Sequence, residues 1–182
     1  MSLKRNLLLL SIASCLLSFV SPPVSAQTSF KQSHFTSVKG KVTVSQGGKS
    51  REVRKNSTVK QGDTVATGKN SSATLRFFDG SEIRMTSGTK FTIGKLVETS
   101  QDKIFNFNLA FGKLVAVVRK LISSRSSFEI DAGGVVCGVR GTEYEVDYDP
   151  NSGKMDLFVT DGHVWARAGG KGPPPSPWRW DP

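Results

Sequence analysis

From about Phe35 onward, apolar and polar residues alternate with a period of two. Val42 and Val44 alternate with Lys41 and Thr43, and Ala73, Leu75 and Phe77 with Thr74 and Arg76. Ile83 and Met85 flank Arg84; Phe91 and Ile93 flank Thr92. The longest run sets Phe105, Phe107, Leu109 and Phe111 among Asn106, Asn108 and Ala110, and the pattern returns from Phe128 to Ala132 and from Tyr144 to Tyr148. Alternation of this kind puts one side of a strand on a core and the other in water. Turn residues separate the runs: Gly47-Gly48, Gln61-Gly62-Asp63, Thr67-Gly68, Asp79-Gly80, Ser87-Gly88, Asp149 to Gly153 and Asp161-Gly162. Gly admits positive φ there, and Asp or Asn bonds back to nearby amides. Short strands at close spacing predict an all-β fold: a single module of short strands and tight turns, solenoid-like, roll-like or sandwich-like. Gly112 to Ile122 is ambiguous, because Leu114, Val117, Val118 and Leu121 also fit a helical stripe; three valines favour a strand. A loose Gly-x-Val opening recurs at Gly40-Lys41-Val42 and Gly162-His163-Val164, with Gly112-Lys113-Leu114 close to it.

The first residues follow a different rule. Lys4 and Arg5 precede an apolar stretch from Leu7 to Val20; Pro22-Pro23 ends it, and Val24-Ser25-Ala26 offers small residues before Gln27. This is the three-part pattern of a secretory signal peptide cleaved after Ala26. The apolar stretch is shorter than the ~20 residues a spanning helix needs, and no later segment is long enough, so no transmembrane span is expected. A lipoprotein cut at Cys15 is the lesser alternative, since it leaves a very short apolar region before it. The organisation expected is a signal peptide at 1–26, a linker at 27–34, a β domain at 35–168 and a Gly/Pro/Trp tail at 169–182.

Composition narrows the chemistry. Two cysteines, one of them in the leader, exclude a disulfide scaffold, and His34 and His163 alone cannot build a histidine metal cluster. Export leaves Cys137 without an internal partner, as a buried small hydrophobe or an intermolecular thiol. Cys137-Gly138-Val139-Arg140 faintly resembles the Cys and Arg of peptidoglycan L,D-transpeptidases, but the Arg stands three residues on rather than two, and no His lies between His34 and His163. A thiol nucleophile needs a base and an orienting group. Glu143, Glu145, Asp147 and Asp149 share one strand face, a solvated row rather than a catalytic pair. Asp147 to Gly153 superficially matches a calcium loop, but Ser152 stands where Gly is required and Phe158 where Glu is, so a hairpin turn is expected. No cofactor or metal is expected, and no catalytic residue is assigned.

The order of the motifs resembles the FecR domain family. The matching pieces are Gly40 to Val44, Gln61 to Gly68, Ala73 to Ser81, Phe128-Glu129-Ile130, Val139-Arg140-Gly141-Thr142 running on to Val146, and Val159 to Val164. The resemblance covers Phe35 to about Ala168. It implies a compact all-β module working outside the inner membrane. Well-known members are transmembrane regulators that relay iron-siderophore signals to a sigma factor through a helical cytoplasmic segment. Here only Met1 to Asn6 precede the apolar leader, so the envelope module is expected without that relay. The signature residues Gly62, Asp63, Asp79, Gly80, Arg140, Gly141, Thr142, Asp161 and Gly162 are expected to be structural. Gly141 suits a bend or a close backbone contact. Arg140 is placed to lock that bend, to fork onto Glu143 or Glu145, or to bind a ligand anion.

Charge adds a partner class. The formal net charge is +10, with the cations concentrated between Gln27 and Arg125 and the acids in excess from Ser126 onward. The early basic strands are expected to pair in part with the later acidic ones; the surplus favours anionic envelope polymers. Nucleic acid is not expected, because export opposes it and no aromatic-plus-basic stacking motif is present. After Gly169, prolines favour extended geometry, and Trp178-Arg179-Trp180 suits contact with a partner or a lipid interface. The sequence therefore points to a non-catalytic exported module that binds an envelope protein or polymer. The alternative is a soluble accessory of envelope signal transduction of the iron-uptake, sigma-regulator type. A Cys-dependent or carboxylate-dependent cell-wall enzyme is the third reading.

Overall fold

The computed structural model describes residues 33–169. Among them are fourteen strands and no helix, joined in one hydrogen-bonded sheet that folds over on itself. The first half of the fold contains β1 (Ser33–Lys39), β4 (Thr58–Val59), β6 (Ser72–Arg76) and β7 (Glu82–Met85). The facing half contains β2 (Val42–Gln46), β3 (Lys49–Glu52), β5 (Thr64–Thr67) and β8 (Lys90–Glu98). One long strand, β9 (Lys103–Val117), belongs to both. Its early residues pair with β8 and its late ones with β7. Later strands extend each half outward from β9. Parallel to its early part runs β10 (Ser127–Ala132), followed by β11 (Val135–Val139) and then β14 (Val164–Ala168). Against its late part lie β12 (Glu143–Asp149) and then β13 (Lys154–Asp161).

The turning point of β9 is Gly112, at φ +90. A Cβ there would stand 2.6 Å from the Gly88 carbonyl oxygen and 2.7 Å from Thr89 Cα, so the bend needs both the conformation and the absent side chain of glycine. Gly40 joins β1 to β2, and Gly162 joins β13 to β14; both also have positive φ. The loose Gly-x-Val repeat thus marks places where the chain passes from one half to the other. The Gly112–Ile122 ambiguity resolves as strand through Val117, with Leu114 and Ala116 on the buried side. Beyond it the chain leaves regular structure until β10.

The inward residues of both halves form one core. Phe35, Leu75, Ile83, Leu114 and Val146 come from the first; Val65, Phe91, Phe107, Ile130 and Cys137 from the second. Phe77, Phe105, Phe107 and Phe128 meet with ring centroids 5.1–6.1 Å apart. Tilted and edge-on pairs of this kind each contribute ~0.5–1.5 kcal/mol beyond the area they bury. That cluster anchors the starts of β9 and β10, where the features of the next section lie.

Candidate functional site

Seven of the nine expected signature residues gather in one row of turns at the end of the first half. Asp79 takes hydrogen bonds from the Ser81 amide (2.9 Å) and hydroxyl (2.7 Å), closing the β6–β7 turn. The fully buried Ser81 hydroxyl oxygen accepts from the Arg119 amide at 3.0 Å. Leu121 N–H then donates to the Arg140 carbonyl (3.3 Å) and Val118 N–H to the Thr142 carbonyl (3.0 Å). Thr142 Oγ1 donates to the His163 carbonyl at 3.1 Å, next to Asp161-Gly162. Between them Gly141, at φ +118, lies so close to Lys120 that a Cβ would meet its Cα at 2.8 Å. Gly62 and Asp63 sit elsewhere, in the turn before β5: Gly62 N–H donates to the Ile93 carbonyl (2.7 Å), and buried Asp63 accepts from the Lys60 amide (3.0 Å). These bonds close backbone turns; of the charged side chains in the row, Asp161 is exposed and Arg140 half-buried.

Arg140 Nη2 donates to the Ser123 carbonyl at 2.9 Å. Glu143 lies 3.9 Å from Arg84, and Glu145 is 2.6 Å from Lys113, so the acids considered for Arg140 are matched to cations of neighbouring strands instead. Lys113 also reaches Asp147 at 3.7 Å. The hydrogen bond that the Lys113 ammonium donates to Glu145, opposed in part by burial, holds its pKa above the ordinary value of 10.5. The early basic and late acidic strands do pair across this face, with Arg84 and Lys113 meeting three of the four carboxylates in the row.

Arg140 is also part of a cleft of about 290 Å³ beside the 123–127 segment, bounded by Arg125, Ser127, Glu129 and Trp165. Trp165 extends from β14 over Gly138 on the adjacent strand β11, where a Cβ would collide with the indole Cζ2. The Arg167 guanidinium sits 5.8 Å from the indole centroid. Arg125 is held by Asp102 (3.0 Å) and Gln101 (3.0 Å), and Asp102 accepts from Ser123 Oγ at 2.6 Å. Sequence reasoning missed this cleft, although Trp165 stands at an alternate position of a strand with Arg167 two residues on.

The chemical alternatives fare differently. Cys137 is fully buried, and burial, with Asp131 adding to it, pushes its thiol up to about 11. It is therefore a protonated core residue at neutral pH, which opposes a nucleophilic role. In the β12–β13 hairpin, Asp149 accepts from the Asn151 amide at 2.9 Å and the Ser152 hydroxyl at 2.9 Å; these bonds lower its pKa and direct both oxygens into the turn. Among the described residues no group of three or more His, Cys, Asp or Glu is placed to hold a metal.

Among the described residues four strands are sheet edges, the short β3 and β4 and the later β13 and β14. Among the described residues, β13 pairs only with β12 and β14 only with β11. The eight-residue β13 carries Phe158 and Val159, 58% and 45% exposed. Trp178, Arg179, Trp180 and the leader lie outside the described residues.

A family model described as FecR protein matches residues 63–165. Two crystal structures of a candidate anti-sigma factor from Parabacteroides distasonis are similar at 13% identity, each with a TM-score of 0.40. The match covers 58% of this chain and 51% of that one, so the chain spans about half the length of the solved relative. Likeness at that level carries no functional argument. No curated protein matches the chain.

Proposed function

The chain belongs to the FecR family, and from that premise we propose that it is a non-catalytic recognition module of the cell envelope, exported under the leader at residues 1–26. Its role is in signal transduction, through contact with a partner protein. The observation that carries this reading is β13. An edge strand with open N–H and C=O groups is a template for another strand, and most proteins blunt such edges with charge, bulges or short length. β13 is eight residues long; it carries Lys154, Asp156 and Asp161 and a bulge at Thr160, yet it leaves Phe158 and Val159 in water. Partner main-chain bonds along it contribute ~0.5–1.5 kcal/mol each, and covering Phe158 and Val159 supplies the apolar part. Buried, protonated Cys137 supports the non-catalytic half of the reading.

A photo-crosslinking residue at Phe158, placed in the full chain and activated in the native envelope, tests it. The expected product is a discrete protein adduct that weakens when Val159 is replaced by Asp. Recovery of an envelope regulator or uptake receptor in that adduct assigns the accessory role. Recovery of polysaccharide alone, or capture that Val159→Asp leaves untouched, overturns the proposal.

A further inference from the structure

The cleft at Trp165 lies on the outer face of the second half, apart from the β13 edge, and no part of the preceding reading uses it. Its walls are unlike one another. One is an indole laid over Gly138, where the missing Cβ is what lets the ring lie down on the strand. A flat, fixed aromatic wall contributes apolar contact at low entropic cost. Arg140 and Arg125 contribute guanidinium groups, each with five N–H donors. Arg140 commits Nη2 to Ser123, and Arg125 is steadied by Asp102 and Gln101, so both are oriented before any ligand arrives. Ser127 adds a hydroxyl that donates and accepts, and Glu129, two residues along the same face of β10, adds a carboxylate that only accepts.

We propose that this cleft binds an acidic saccharide unit: a hydroxylated ring bearing a carboxylate or phosphate group, as a residue of an anionic envelope polymer. Each lining group then has a counterpart. The acid group meets the two guanidiniums in charge-assisted bonds, the ring hydroxyls meet Ser127 and Glu129, and the apolar ring face packs beside the Trp165 indole, which also has the Arg167 guanidinium over it at 5.8 Å. A bare phosphate would face Glu129 without compensation, and a purely apolar ligand would strand both guanidiniums. The volume, about 290 Å³, suits one ring rather than an extended chain. A small number of convergent polar groups around an apolar wall is the usual form of a ligand site.

Because the chain carries a formal net charge of +10, the test must separate a site from bulk attraction. The full chain, labelled at its Trp indole nitrogens, is titrated with tetragalacturonate, with its methyl ester, and with a phosphorylated oligomannoside. The Trp165 indole resonance is identified by Trp165→Phe. A saturable shift of that resonance is expected with at least one acid and none with the ester; which acid is bound distinguishes a carboxylated from a phosphorylated source. Arg125→Gln is expected to raise Kd about tenfold, the loss of one charge-assisted bond. Lys49→Gln, the same charge loss on β3, should leave Kd within about twofold, as exposed charges beyond a Debye length are screened. If Arg125→Gln disturbs the spectrum without ligand, Ser127→Val replaces it: Val suits a strand, fills the cleft, and should weaken binding as much. Absence of a shift with both acids, equal binding of the ester, or equal weakening by Lys49→Gln and the cleft variant overturns the proposal.

Discussion

At the scale of single residues, the environment decides what a side chain can do, and Cys137 shows it most directly. Its thiol packs among Ile130, Val139 and Tyr144 in one core, and its pKa near 11 follows from that burial. Only the thiolate attacks an alkylating reagent. At pH 8 about one molecule in a thousand carries it, before access is considered. The folded chain should therefore react with iodoacetamide at least about a hundredfold more slowly than the denatured chain, as read by mass spectrometry. Rapid labelling of the folded chain would place the thiol at the surface and reopen the nucleophile reading. Burial of Cys137 was expected from the sequence, because a lone thiol in an exported chain is usually a small buried hydrophobe. The Trp165–Gly138 contact was not. It joins residues 27 positions apart, and only the pairing of β11 with β14 brings them together. A glycine in a strand signals a close approach without saying whose.

At the scale of elements, period-two patterning located the strands but not their partners. β9 is the case in point: Phe105 to Phe111 reads as strand and Gly112 to Ile122 as ambiguous, and nothing in the pattern shows that both belong to one strand serving the two halves. The signature turns were legible as turns. Their stacking into one row depends on Val118, Leu121 and Ser81 backbone and hydroxyl bonds that no local pattern announces. The charge pairing between strands was expected in kind, and Lys113 of β9 with Glu145 of β12 gives it a testable form. The Lys113 pKa is raised above 10.5 by Glu145. A raised cation pKa contributes stability that is complete below the unfolded value and lost as pH rises through the folded one. The Tm advantage of the wild type over Glu145→Gln should thus stay constant from about pH 7 to 9.5 and shrink at higher pH. An advantage already gone at about pH 8 would show that the pair does not act through the Lys113 charge. Both partners are partly exposed, so solvent screening keeps the advantage small.

At the scale of the whole described fold, the question is whether two facing halves make one cooperative unit or two. The sequence left this open, because roll, solenoid and sandwich arrangements share the same strand pattern. The structure answers through shared material. β9 belongs to both halves, the inward residues form one cluster, and Phe107 touches the rings of Phe77, Phe91 and Phe128 from three different parts of the chain. Neither half can shed the other without exposing that cluster and breaking β9 at Gly112. Urea unfolding should therefore show one transition, with far-UV circular dichroism and Trp165 fluorescence coincident in a Trp178→Phe, Trp180→Phe background. Phe107→Ala removes a ring from the centre and should cost ~3–5 kcal/mol. Because domains of this size are stable by only ~5–15 kcal/mol, that is a large share of the total. The decisive feature is the shape of the mutant curve. If the halves are one unit, Phe107→Ala lowers the midpoint and leaves the slope unchanged, since the surface exposed on unfolding is the same. If they are two, the half holding fewer of the lost contacts keeps its midpoint and the transition splits. A split curve, or fluorescence that changes ahead of dichroism, would mean that β9 is a hinge between independent sheets rather than the strand that makes them one.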